Sequence, residues 1–346
     1  MATGHGGAPS GLHTEPNPEF QANGMIASPK HSKYRKPDGA ELSDQPVSAG
    51  DYFGTTINGK KGHVWRFDGT VAARVGVPNP DQHSMATVQA GQSLREALAS
   101  LPAFSEKQFV IHRMELPPGA FYRRIARPSD QHPLEAPGLV HLMEDELDAP
   151  FSSLNQMRSL VGLLNTIFQA VHPVSSNMTC FGSATRNLLI LACTECEAQW
   201  RGVLAANGYL KPRTNTEDYV KLLPAMRLNE YEVRLQHYPW LPPIAPFGSW
   251  DTTASTQSLG WYENYNAAKH DREAYFDRAS LESALQAVVG VWVMIAAQFG
   301  IDGIREFDDL SRYFHLESVP LWRYSQVYTY AYDNFAGEAG PRDFLF

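Results

Sequence analysis

Apolar residues in the second half of the chain recur at the three- and four-residue steps of a buried helix face. In 152-SSLNQMRSLVGLLNTIFQAVHP-173 the series Leu154, Met157, Leu160, Val161, Leu164, Ile167 and Phe168 predicts one helix, stopped at Pro173. A second, longer helix is expected over 183-SATRNLLILACTECEAQWRGVLAANG-208, with Asn207-Gly208 as its C-terminal stop. Thr216 is placed to cap a short helix through 217–223. A further helix is expected over about 255–271. The last, 280-SLESALQAVVGVWVMIAAQFG-300, has Ser280 as N-cap and Gly300 as stop. Its residues are apolar on nearly every side, which predicts the centre of a bundle.

The first half carries a different pattern. In 52-YFGTTINGKKGHVWRF-67 two apolar-containing runs flank Asn58-Gly59, the dipeptide best suited to a type I′ hairpin turn. A short helix is expected over 94-LREALASL-101 and a strand over 108-QFVIHRMEL-116. The prolines from Pro117 to Pro150 predict a long surface connection. Alternation in 230-EYEVRLQHYP-239 predicts a strand or extended arm, followed by a Pro-rich rigid loop over 239–247. Together these elements predict an α+β protein: a flexible arm over 1–50, a small β-rich and irregular region over 51–150, a predominantly α-helical bundle over 151–300, and a C-terminal extension over 301–346 packed on the bundle.

Composition changes this picture in few places. The 346 residues are 43% hydrophobic with a formal net charge of -8, which argues against broad charge-driven binding to nucleic acid but leaves room for a local basic groove. Residues 1–50 are rich in Gly, Pro, Ser, Asn and His, too polar to offset their conformational entropy by burial. The basic run 30-KHSKYRK-36 inside that arm is expected to be solvated. Cys180, Cys193 and Cys196 are the three cysteines, too few for a secreted disulfide framework. No signal-peptide pattern is found at the N-terminus. The apolar run 284–297 is shorter than the roughly 20 residues that span a bilayer. The expectation is a cytoplasmic protein with no membrane partner.

Several motifs invite chemistry and are better explained without it. The stretch 54-GTTINGKK-61 has GxxxxGK spacing, but Lys61 stands where a phosphate loop needs Ser or Thr, and a hairpin accounts for Asn58-Gly59. Cys193 and Cys196 have CxxC spacing inside an apolar helical run, which predicts inert core thiols rather than a redox or zinc pair. No GxSxG elbow, HExxH or EF-hand loop occurs, and the expectation is no cofactor and no metal.

The remaining candidate is 261-WYENYNAAKHDR-272. On a helix Asn266 and His270, four apart, share one face, and Lys269 and Arg272 fall on its neighbour with Tyr265. Cations beside His270 disfavour its protonated form and suit it to act as a neutral base near pH 7. Cleavage of RNA by its own 2′-hydroxyl needs an acid or base, a cation at the phosphorane and an orienting amide. His270, Lys269 or Arg272, and Asn266 are candidates for those roles. Glu197, on the earlier long helix, is a candidate to orient His270 or neutralise Arg272, with a surface ion pair to Arg201 as the simpler alternative.

A helical bundle whose late helix bears Asn-x-x-x-His, followed by a very apolar helix, resembles the HEPN superfamily. That resemblance covers about 152–300 and rests on Asn266, His270 and helix order; the family's Arg falls at Tyr265. It implies an all-α domain, often dimeric, and in many members a metal-independent endoribonuclease of toxin–antitoxin, CRISPR or phage-defence type. The segment 266-NAAKHDR-272 is also similar to those of uncharacterised bacterial proteins. The expected partners are RNA, and a second copy or another protein reached through the N-terminal arm or the aromatic tail 322-WRYSQVYTYAYDNF-335. The competing class is a non-catalytic interaction or assembly module, and a third is nucleotide binding at Gly54–Lys61.

Overall fold

The computed structural model describes residues 48–56, 62–102, 104, 109–130, 144–300, 310–329 and 340–346. The arm over 1–47 with its basic run, the turn tip at Asn58-Gly59, and residues 330–335 of the aromatic tail lie outside the described residues. Within them the chain is α+β, an antiparallel five-stranded sheet followed by a helical bundle.

The sheet is built from β1 (Gly50–Thr56), β2 (Gly62–Phe67), β3 (Val71–Arg74), β4 (Met85–Thr87) and β5 (Phe109–Arg113), in the order β4-β3-β2-β1-β5. β1 and β2 pair antiparallel from Gly50↔Phe67 to Thr55↔Gly62, the hairpin that the patterning predicts. β1 also pairs with β5, so Gly54 and Thr55 sit in a strand bonded on both edges. Their backbone groups serve the ladder and cannot form a phosphate cradle, and the nucleotide-loop expectation fails there. The other half of that motif, 57–61, lies outside the described residues. The helix α1 (Leu94–Ala99) closes one face of the sheet, capped by a Ser93/Glu96 capping box. Tyr52, Trp65, Phe67, Leu94, Leu98, Phe104, Phe109 and Ile111 form the core between them.

The bundle consists of α2 (Asp148–Ala170), α3 (Ser183–Ala206), α6 (Gly260–His270) and α8 (Leu281–Phe299), with the short helices α4 (Thr216–Tyr219), α5 (Leu222–Met226) and α7 (Arg272–Tyr275) between them. α8 packs against α2, α3 and α6, the central position that its all-round apolarity predicts. With 19 residues it has the length and hydropathy of a membrane span, and 89% of that window is buried inside the protein. Ser280 caps it, accepting from the Ser283 amide at 3.2 Å. Cys193 and Cys196 are fully buried, and burial pushes both thiols well up. The short helix is capped by Asn215 rather than Thr216, and the helical run breaks again at Val220–Lys221.

The Pro-rich segment after Pro117 departs from expectation. Its strand β6 (Ala120–Tyr122) pairs with β9 (Gly340–Arg342) from the C-terminal extension. Ile125, Ala126, Arg127 and Asp130 are buried rather than on the surface. Their backbone is paid for by partners elsewhere: Ala126 N donates to Ala297 O at 2.9 Å, Asp130 N donates to Tyr328 O at 2.9 Å, and Tyr328 N donates to Pro128 O at 2.8 Å. The extension supplies a second clasp, β8 (Phe314–Ser318), antiparallel to β7 (Glu232–Leu235). Arg127 sits between Tyr122, Trp322 and Tyr328, with its guanidinium carbon 4.9, 4.8 and 5.6 Å from the ring centroids. That guanidinium links the sheet-proximal segment to the C-terminal one.

Candidate functional site

The candidate stretch begins in a tight loop. Asp251, Ser255 and Ser258 tie turns around Trp250, whose indole donates to Ser255 O at 2.7 Å. The helix α6 therefore starts at Gly260, five residues later than the patterning suggests. Its buried face is Trp261, Tyr262, Tyr265 and Ala268. Trp261 joins Trp200, Phe247 and Trp250 in an aromatic cluster under the helix, and its Nε1 donates to Pro246 O at 2.7 Å.

α6 ends at His270. Asp271 leaves the helical region (φ -137, ψ 83) and its carboxylate accepts from Ala274 N at 3.1 Å, capping α7. Arg272 is therefore the first residue of a separate one-turn helix. This corrects the expectation that Arg272 shares a continuous helical face with Lys269.

α3 and α6 run antiparallel, with Arg186 beside Ala268 and Glu197 beside Tyr262. Glu197 accepts from the Tyr262 hydroxyl at 2.8 Å and faces Arg201 Nη1 at 3.5 Å. It serves neither His270 nor Arg272, and that expected role is withdrawn; the Arg201 alternative is the observed one. Burial first, then the Glu197 carboxylate, pushes the Tyr262 hydroxyl far above its ordinary range, so it stays a donor.

Lys269 folds back over Tyr265. Its Nζ lies 4.8 Å from the ring centroid and donates to the hydroxyl at 2.7 Å. That hydrogen bond holds the ammonium pKa up, while burial raises Tyr265. The pair is thus a cation on a neutral phenol, and Lys269 is already engaged. Tyr265 is 1% exposed, so the position where the resemblance wants Arg is a core position.

Asn266 and His270 share a face one turn apart, as their spacing predicts. Asn266 is half-buried and His270 exposed. Neither side chain makes a hydrogen bond or ion pair among the described residues. The amide that does stitch α6 to α8 is Asn264, donating to Ser283 Oγ at 3.0 Å.

Patterning missed Arg186 at this end of the helix. Its Nε donates at 3.2 Å to Ala268 O, one of the carbonyls left open where α6 stops. An Arg in the first turn of α3 signals this only once α3 and α6 are known to be antiparallel. Among the described residues no three His, Cys, Asp or Glu converge on a common metal position. The end of α6 thus presents an amide and an imidazole, with Arg186 fixed on its last turn and Arg272 just beyond it. No family model matches this chain, and no curated protein or solved structure is significantly similar to it.

Proposed function

We propose that the exposed end of α6 is an RNA-directed acid–base site, and that the protein is a metal-independent endoribonuclease of defence or toxin type on a HEPN-like bundle, acting in the cytoplasm. The observation that carries this reading is the state of two side chains. Tyr262, Asn264, Tyr265 and Lys269 are all committed to packing contacts, while Asn266 and His270, one turn apart, are not. In the proposed reaction His270 removes the proton from a ribose 2′-hydroxyl, whose oxygen attacks the adjacent phosphorus. The phosphorus–5′-oxygen bond breaks, leaving a 2′,3′-cyclic phosphate and a 5′-hydroxyl protonated from solvent. Asn266 orients the phosphate, and Arg186 or Arg272 offsets the added charge on the phosphorane.

A second reading is a non-catalytic interaction or assembly module. It is favoured by Tyr265, which buries a phenol where the resemblance calls for a cation. The two separate in one experiment: purified protein is incubated with bulk RNA in the presence of a chelator. Cleavage that falls at least a hundredfold in His270→Ala, with 2′,3′-cyclic phosphate ends, supports the nuclease. Equal cleavage in both proteins, or none in either, overturns it and leaves the assembly module.

A further inference from the structure

The end of α2, the residues just before α3, the first turn of α3 and the start of α8 enclose a cavity of about 290 Å³. Ile167, Ala170 and Val171 line it from α2, Phe181 and Thr185 from the other side, and the fully buried Leu281 at its inner end. Ala170, Cys180 and Phe181 are exposed, so the cavity opens to solvent. Its two threonine hydroxyls are already engaged. Thr166 Oγ1 donates to Gly162 O at 3.0 Å, and Thr185 Oγ1 donates to Gly182 O at 2.9 Å. The interior therefore recognises hydrocarbon rather than a polar group.

Volume limits the length of that hydrocarbon. An apolar cavity of about 150 Å³ is filled by one benzene, so this one, at about 290 Å³, takes an aliphatic chain of roughly eight to ten carbons.

The mouth selects the other end of the ligand. α3 starts at Ser183 behind Gly182, an N-cap residue with no side-chain acceptor. The amides of Ser183 and Ala184 have no acceptor among the described residues, and Ala184 lines the cavity. A helix of 24 residues places roughly half a positive charge at that end. A carboxylate accepts from such amides. Glu282, in the first turn of α8, is turned along its own helix and accepts from Gln286 at 3.5 Å.

We propose that this cavity is a binding site for a medium-chain fatty acid. The chain fills the space between α2 and α3, and the carboxylate accepts from the first amides of α3. The inference uses neither Asn266 nor His270, and it stands whether or not the protein cleaves RNA.

The test is calorimetric titration of the full chain with hexanoate and octanoate. Each buried methylene tightens binding about fourfold, so octanoate is expected to bind about sixteenfold tighter than hexanoate. Octanol, with the same chain and no carboxylate, is expected to bind at least tenfold more weakly than octanoate. Cys180 locates the ligand: it lines the cavity and is exposed, whereas Cys193 and Cys196 are buried, so a thiol reagent reads Cys180 alone in the folded protein. Saturating octanoate is expected to slow that reaction at least tenfold. Ala170→Trp fills the cavity and is expected to abolish binding with the same circular dichroism as wild type. Thr166→Trp carries the same expectation should Ala170→Trp not fold. Affinity that ignores chain length, octanol that binds as tightly as octanoate, or a Cys180 rate unchanged by the ligand overturns the proposal. Absence of binding overturns it too, and leaves the cavity to an apolar side chain of a protein partner.

Discussion

His63 on β2 shows how a single residue can set the acid limit of the fold. Burial, and then the nearby Arg74, push its imidazole down to about 4. The unfolded chain, with an ordinary imidazole near pH 6.5, binds that proton more readily. Stability is therefore full above about pH 6.5 and falls as the pH drops through the window down to about 4. His63 is only partly enclosed, so the loss is of order 1–2 kcal/mol rather than the full linkage value. Denaturant melts at pH 7 and pH 4.5 should show this loss, and His63→Gln should shrink it. At the same scale, the shared face of Asn266 and His270 was legible from their spacing. The Tyr265–Lys269 contact also lay within one helix and had i, i+4 spacing. Engagement of Glu197 by Tyr262 was not legible, because it depends on how α3 and α6 align across a packed seam.

At the scale of the element, caps decide where helices stop. Ser280 satisfies an open amide of α8, and Ser280→Ala is expected to cost about 1 kcal/mol, read as a lower denaturation midpoint with an unchanged denaturant slope. That cap was visible in the sequence because a serine preceded an unbroken apolar run. Asp271 carried the same kind of signal, yet its neighbours on both sides suit a helix, and apolar periodicity is weak across 269–276. The local break is therefore set by the Asp271 carboxylate turning to Ala274 N. The Pro-rich segment was misread for a related reason. Proline excludes regular ladders, but it does not exclude burial where a distant strand supplies the missing partners, as Tyr328 does for Asp130.

For the molecule as a whole, Arg127 is the clearest single tie. It is 4% exposed, stacked among three aromatic rings, and 3.4 Å from Glu115. Arg127→Ala is expected to destabilise the fold by about 2–4 kcal/mol, through lost cation–π contacts and an opened cavity. Calorimetry of the full chain checks the magnitude, and an unchanged melting temperature would contradict it. The α+β class was legible because period-two and period-3.6 patterns occupy different halves of the chain. The attachment of one to the other was not, because it runs through long-range contacts such as Ala126 N to Ala297 O and through the C-terminal strands, none of which has a periodic signature.

The two clasps made by that extension also bear on how the chain reaches its fold. β9 completes a pairing with β6, more than two hundred residues earlier, and β8 completes one with β7. Loop closure of that length must precede the contacts that reward it, so folding is slowed by topology rather than by local propensity. During synthesis the β6 edge waits without its strand partner until residues 340–342 have been made. A ribosome-paused chain lacking them would expose that edge for far longer than the finished protein does, which makes translation speed across the bundle a determinant of yield.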